Sequence, residues 1–138
     1  MRRRLHRDNQ GAVAVEFAML APVFLTMLLG TLVMGMYLQN INALQSAAND
    51  TSRQVTVAYQ RNNQVMPAEI QDIARGVAIR APYLLDTDRL DVVVEQVASS
   101  RVTGATEFNV HFSYQLIGLP FVPISWLTID YQRPVFVI

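Results

Sequence analysis

Three places in this sequence hold residue types that could do chemistry. The first is Gly11-Ala-Val-Ala-Val-Glu16-Phe17, where a lone carboxylate stands at the head of a long apolar run. A charge at mid-bilayer costs roughly 2.5–3.5 kcal/mol on insertion scales, and less near the interface, so Glu16 calls for a partner or for water. The second is Leu84-Leu-Asp86-Thr-Asp88-Arg-Leu-Asp91, whose carboxylate spacing hints at an oxygen-ligand calcium loop. The glycine and the closing glutamate of an EF-hand are missing at the required offsets, and Arg89 interrupts. An acidic turn capped by its own neighbours is the simpler reading. The third is His111, on the polar side of an alternating segment, with no second histidine or cysteine to share a metal; a solvated strand histidine accounts for it. No serine sits in a nucleophile elbow, no glycine-rich phosphate loop follows a strand, and no HExxH occurs. These absences argue against an enzyme, a metal centre or a cofactor.

The composition narrows the field further. Cysteine is absent, which removes disulfides, thiolate metal sites and a lipid-bearing cysteine together. The folded part must therefore be held by its core or by partners. Net charge is zero, from 11 basic and 11 acidic residues, but the two signs are unevenly spread. Arg2, Arg3, Arg4 and Arg7 crowd the start with His6, and the rest of the chain is mildly acidic. Later arginines are scattered singly and lysine is absent, so nothing marks a nucleic-acid surface.

The element that carries Glu16 is a membrane span. From Ala12 to Leu38 it is the only charged residue, and the run exceeds the roughly 20 apolar residues that cross a hydrocarbon core. A buried helix of a soluble protein is usually shorter and carries a polar stripe. The arginines directly before the span keep the N-terminus cytoplasmic and send the C-terminal part across. Pro22 falls early in the span, where membrane helices tolerate it. Gly30 and Gly35 stand five apart, so no GxxxG dimer face is present. Three kinds of N-terminus fit to different degrees. A secretory signal, cut near Gly35 to release a soluble domain, needs a shorter apolar region and a better site than Val33-Met34-Gly35. A plain signal anchor leaves Gly11 and Glu16 unexplained. A signal cut on the cytoplasmic side, before the apolar run, keeps the greasy helix on the mature chain.

Gly11-Ala-Val-Ala-Val-Glu16-Phe17, behind a basic leader and ahead of this helix, resembles a class III, prepilin-type signal. More narrowly, GAVAVEFAMLAPVFLTMLLG resembles the start of the TadE-like family, minor pseudopilins of the tight-adherence (Tad/Flp) pilus apparatus. The resemblance is strongest over residues 10–35 and looser toward FSYQLIGLPFVP and LTIDYQRPVF. It implies cleavage by a prepilin peptidase between Gly11 and Ala12. Glu16 then becomes the fifth mature residue and Phe17 the sixth, where Glu-Tyr is usual. It implies an inner-membrane protein with an exported C-terminal domain, possible presence in the pilus, and no cofactor or metal. Its implied partners are the peptidase, other minor pseudopilins such as TadF-like chains, the major Flp pilin, inner-membrane platform proteins and membrane lipid, with no nucleic acid. Glycine would let an extended backbone enter a protease cleft closely, and it weakens helix there. The new ammonium on Ala12 would lie about 6 Å, one turn, below Glu16. In a packed assembly Glu16 could pair with a neighbour's ammonium; alone, it could simply reach water.

The remaining elements follow from periodicity. Ile41, Leu44, Ala48, Val55 and Tyr59 recur at helical spacing, which predicts one helix over about 12–59 whose second half is amphipathic. A break near Asn49-Asp50-Thr51 is the alternative. Pro67 opens a second helix with the stripe Ile70, Ile73, Val77 and Ala81, which Pro82 ends. Residues 90–98 read as a strand, SSRVTGA as its turn with Gly104, and TEFNVHFSYQL as a second strand with Phe108, Val110, Phe112, Tyr114 and Leu116 on the dry face. GLPFVPIS is a loop, and Trp126 is either core or a partner-facing patch. WLTIDYQ is a third strand that PVFVI continues after Pro134 breaks the ladder. The fold class is α+β and pilin-like, with an antiparallel sheet of three to four strands. Its expected organisation is a leader over 1–11, a transmembrane helix over 12–38, a helix extension and connector over 39–66, and an exported domain over 67–138.

Overall fold

The computed structural model describes residues 9–62, 64–117 and 127–138. Helix α1 runs unbroken over Asn9–Asn62 and helix α2 over Pro67–Ile79. A short 3-10 turn at Thr87–Arg89 leads into strands β1 (Leu90–Gln96), β2 (Thr106–Gln115) and β3 (Thr128–Val137). The sheet is antiparallel with order β1-β2-β3. The expected α+β layout is thus present, with three strands among the described residues. The chain divides into two compact units, residues 1–36 and Tyr37–Ile138.

In the first unit, α1 is apolar on all sides and exposed, with Phe17, Met19, Phe24, Met27 and Leu28 each more than 60% accessible. Helix-wide exposure of such side chains suits a lipid environment. Pro22 does not end the helix. The hydroxyl of Thr26 donates to the Pro22 carbonyl at 2.7 Å, and that of Thr31 to Leu28 at 2.8 Å, so these polar groups are satisfied within the segment.

In the second unit, α1 becomes one-sided. Leu44, Ala47, Ala48, Thr51 and Val55 are buried, at spacings of three and four, while Gln45, Asn49 and Arg53 are exposed. No break occurs at Asn49–Thr51. Thr51 is a middling helix former, but its buried hydroxyl donates to the Ala47 carbonyl at 2.7 Å, and packing of its face outweighs propensity. Tyr83, in the connection after α2, donates its hydroxyl to Asp50 at 2.9 Å, and this bond raises the tyrosine pKa.

Helix α2 starts at Pro67, whose missing N–H costs nothing at a helix start, and Glu69 lies in its first turn. The buried stripe is Ile70, Ala74, Val77 and Ala78. Ile73 is only half-buried, and Ala81 is exposed and lies beyond the helix, which stops at Ile79. The residue before a proline is steered away from helical angles, so Pro82 already constrains Ala81 and ends the helix early.

The sheet has a dry and a polar face. Leu90 and Val92 of β1, Phe108, Val110, Phe112 and Tyr114 of β2, and Ile129, Val135 and Val137 of β3 are buried and share the dry face by register. Gly104 turns the β1–β2 connection at φ +84, a conformation glycine adopts without steric cost. Pro134 corrects the sequence expectation: β3 passes through it without interruption, paired with Asn109. The physical reason is its place on an edge strand. Leu116 donates to the Leu127 carbonyl, which fixes odd-numbered β3 residues as those bonded to β2. Pro134 is even-numbered, so its missing donor faces away from the ladder. GLPFVPIS and Trp126 lie outside the described residues.

Candidate functional site

Gly11, Ala12, Glu16 and Phe17 all lie in α1 and are exposed. Ala12 and Glu16 are four residues apart and so share one helix face. Glu16 has no ion-pair or hydrogen-bond partner among the described residues. The Gly11–Ala12 bond is helical, within the described span Asn9–Asn62 of α1. A side chain at Gly11 would meet nothing within 4 Å, so no packing requires glycine at this point. Arg2, Arg3, Arg4 and Arg7 lie outside the described residues.

The other candidates are brought together differently. Asp86 accepts from the Asp88 amide at 3.1 Å and from Arg89 at 2.7 Å; these contacts hold its carboxyl below the usual range, Arg89 contributing most. Asp91 turns away to Arg75, at 3.6 Å. Among the described residues no three His, Asp or Glu side chains are placed to hold a metal. His111 is half-buried on the polar sheet face, between Val93 and Gln132.

Sequence reasoning missed one charged contact. Glu107 has the parity of the polar face, yet it is 1% exposed. Its Oε2 accepts from the Arg101 amide at 2.9 Å and its Oε1 from the Arg101 Nε at 2.8 Å. The guanidinium also lies over Phe136, 5.7 Å from the ring centre, so the turn folds back across the sheet. The only signal in the sequence is an arginine six residues before a glutamate across a glycine turn. Arg101 holds the Glu107 carboxyl below its ordinary pKa. A depressed folded pKa means that the stabilisation is complete above the unfolded value and is lost as pH falls through the folded one. Thermal unfolding of the full chain in detergent should therefore show wild type losing stability from about pH 5 downward, more than Glu107→Gln does. Parallel curves for the two proteins would remove this contact from the stability account.

Taken together, the geometry of the described residues defines a class: a long apolar helix, a candidate membrane span, continuous with an amphipathic helix that packs in a small α+β unit. Residues 11–53 match the family model described as TadE-like protein. The match begins at Gly11, takes in the whole apolar run and ends on the amphipathic part of α1. This N-terminal segment is similar to the TadE-like family, which is associated with Tad pili. No curated protein and no solved structure matches the chain.

Proposed function

We propose that this chain is a minor pseudopilin of a Tad/Flp pilus system, processed after Gly11 by a prepilin peptidase. The carrying observation is the order of features at the head of α1: Gly11, then Glu16 and Phe17 exposed on an apolar helix, within the TadE-like segment. Its role is structural, in starting or supporting assembly, with no reaction of its own. The four N-terminal arginines keep the leader in the cytoplasm, and the unit Tyr37–Ile138 lies on the far side of the inner membrane. After cleavage, the ammonium of Ala12 and the carboxylate of Glu16 stand one turn apart. In low dielectric, Glu16 is then an acceptor for a neighbouring chain's ammonium, which sets axial register between helices. Partners on this reading are the peptidase, TadF-like pseudopilins, the major Flp pilin and the platform proteins.

Glu16→Ala separates this role from mere interfacial solvation. We expect the variant to be inserted and cut normally and to leave pilus number near background, counted by electron microscopy. Normal piliation with Glu16→Ala would reduce Glu16 to an interfacial acid. The second reading is a bitopic protein that keeps its leader and presents its exported unit as a binding or chaperone domain. It is favoured by the helical state of the Gly11–Ala12 bond, since a peptidase must first unwind that turn.

A further inference from the structure

Two surfaces of the unit Tyr37–Ile138 carry matching stripes of opposite charge. The first lines a groove of about 410 Å³ between α1 and α2. Arg53, Val57 and Arg61 form one wall, at steps of four residues, with Ile73 of α2 on the other side. Both arginines are exposed, and Val57 between them is 45% exposed. Neither arginine has an ion-pair or hydrogen-bond partner among the described residues, although α2 also carries Glu69 and Asp72. The second stripe is Asp91, Val93 and Glu95, which alternate along the polar face of β1 and are all exposed. Asp91 meets Arg75 at 3.6 Å, and Glu95 has no partner among the described residues.

The spacings agree. Eight helical residues advance about 12 Å, and four strand residues about 13 Å. A cation–valine–cation stripe thus fits an acid–valine–acid stripe. The directions agree too. Tyr59 of α1 lines one cleft with Gln96, Phe108 and Val137, and Tyr83, in the connection before β1, bonds to Asp50. So β1 advances the same way as α1, and Glu95 lies near the level of Arg61. Copies inserted side by side in one membrane need such like levels. A single copy cannot join its own stripes: the cleft at Tyr59 and Phe108 puts α1 on the dry side of the sheet, and Glu95 points from the polar side. Residues 118–126, which lie outside the described part, join the other end of the sheet at Gln115 and Thr128. Out and back, their length reaches about 17 Å at most. Glu95 and the groove lie about 20 Å or more from that end.

We infer that the polar face of β1 in one copy docks into the α1–α2 groove of a second copy, with Arg53 beside Asp91, Arg61 beside Glu95 and the two valines between them. Groove and stripe are different patches, so the contact is heterologous, and every added copy leaves one of each free. Copies therefore line up in rows and not in closed two-fold pairs. The inference does not depend on cleavage at Gly11.

The test is thiol crosslinking in native membranes, for which the full chain is a cysteine-free background. Copies carrying Val57→Cys and Val93→Cys are co-expressed with different tags and treated with a short bismaleimide. Backbones of packed elements stand about 8–10 Å apart, too far for a disulfide. The expected product is a mixed-tag dimer from this pair and from neither variant alone. Val57→Cys with Thr128→Cys, on the same face about 17 Å from Val93, should give none. Arg61→Glu in both copies should lower the yield about tenfold, as should Glu95→Arg, and the two together should restore it. Restoration separates a contact between copies from a folding defect. No mixed dimer, a dimer from Val57→Cys alone, an adduct only with another protein, or charge reversals that fail to restore one another overturns the inference.

Discussion

Gly11→Leu should leave the leader on the chain: full-length protein accumulates, the species beginning at Ala12 falls about 100-fold, and pili are lost. That magnitude corresponds to a scissile bond displaced by roughly 1 Å in a protease site. The loss would be one of recognition, because a side chain at Gly11 meets no atom of the fold within 4 Å. Two physical effects act together. Any side chain keeps the backbone away from the cleft, and replacing glycine with a better helix former strengthens the turn that must unwind, by about 1 kcal/mol for alanine. Gly11→Ala should therefore be intermediate in rate. Immunoblots of membrane fractions resolve the two species, and wild-type cleavage of Gly11→Leu would remove Gly11 from the mechanism.

The second large effect is in the core. Phe112 lies on the central strand, 1% exposed, in register with Val92 on one side and Tyr131 on the other. Truncating such a side chain costs about 3–5 kcal/mol. Total stability of a domain is about 5–15 kcal/mol, and this chain has no disulfide to retain structure. Phe112→Ala should thus unfold the unit Tyr37–Ile138 at or near physiological temperature while the apolar part of α1 stays inserted. Limited proteolysis of membranes reads this directly: the variant should be degraded down to its protected apolar segment, whereas wild type resists. Equal resistance would mean that the sheet is not the main source of stability.

Much of this architecture is visible in residue order, because it rests on periodicities that packing reinforces. Phe108, Val110, Phe112, Tyr114 and Leu116 alternate without a fault, and all five are buried. Leu44, Ala48 and Val55 likewise fall on the buried side of α1, and the candidate site is contiguous in sequence, so Gly11, Glu16 and Phe17 are proposed without reference to the fold. What stayed hidden depends on tertiary placement. Ala74 and Ala78 are buried while Ala81 is not, because the helix stops before its next turn and not because of their types. Pro134 counts as a breaker until β3 is known to be the edge. Glu107 looks like a wet-face acid until Arg101 is seen to fold over it. The orphaned Nε of Arg133 has no sequence signal at all.

The central claim is that the chain is a processed pseudopilin, and the most direct test is the N-terminus of the protein in its native membranes, read by mass spectrometry with and without the host's prepilin peptidase. The account predicts a chain beginning at Ala12 when the peptidase is present and at the leader when it is absent. A leader that stays intact in both strains would contradict it and leave a bitopic protein whose Glu16 lies at the membrane interface.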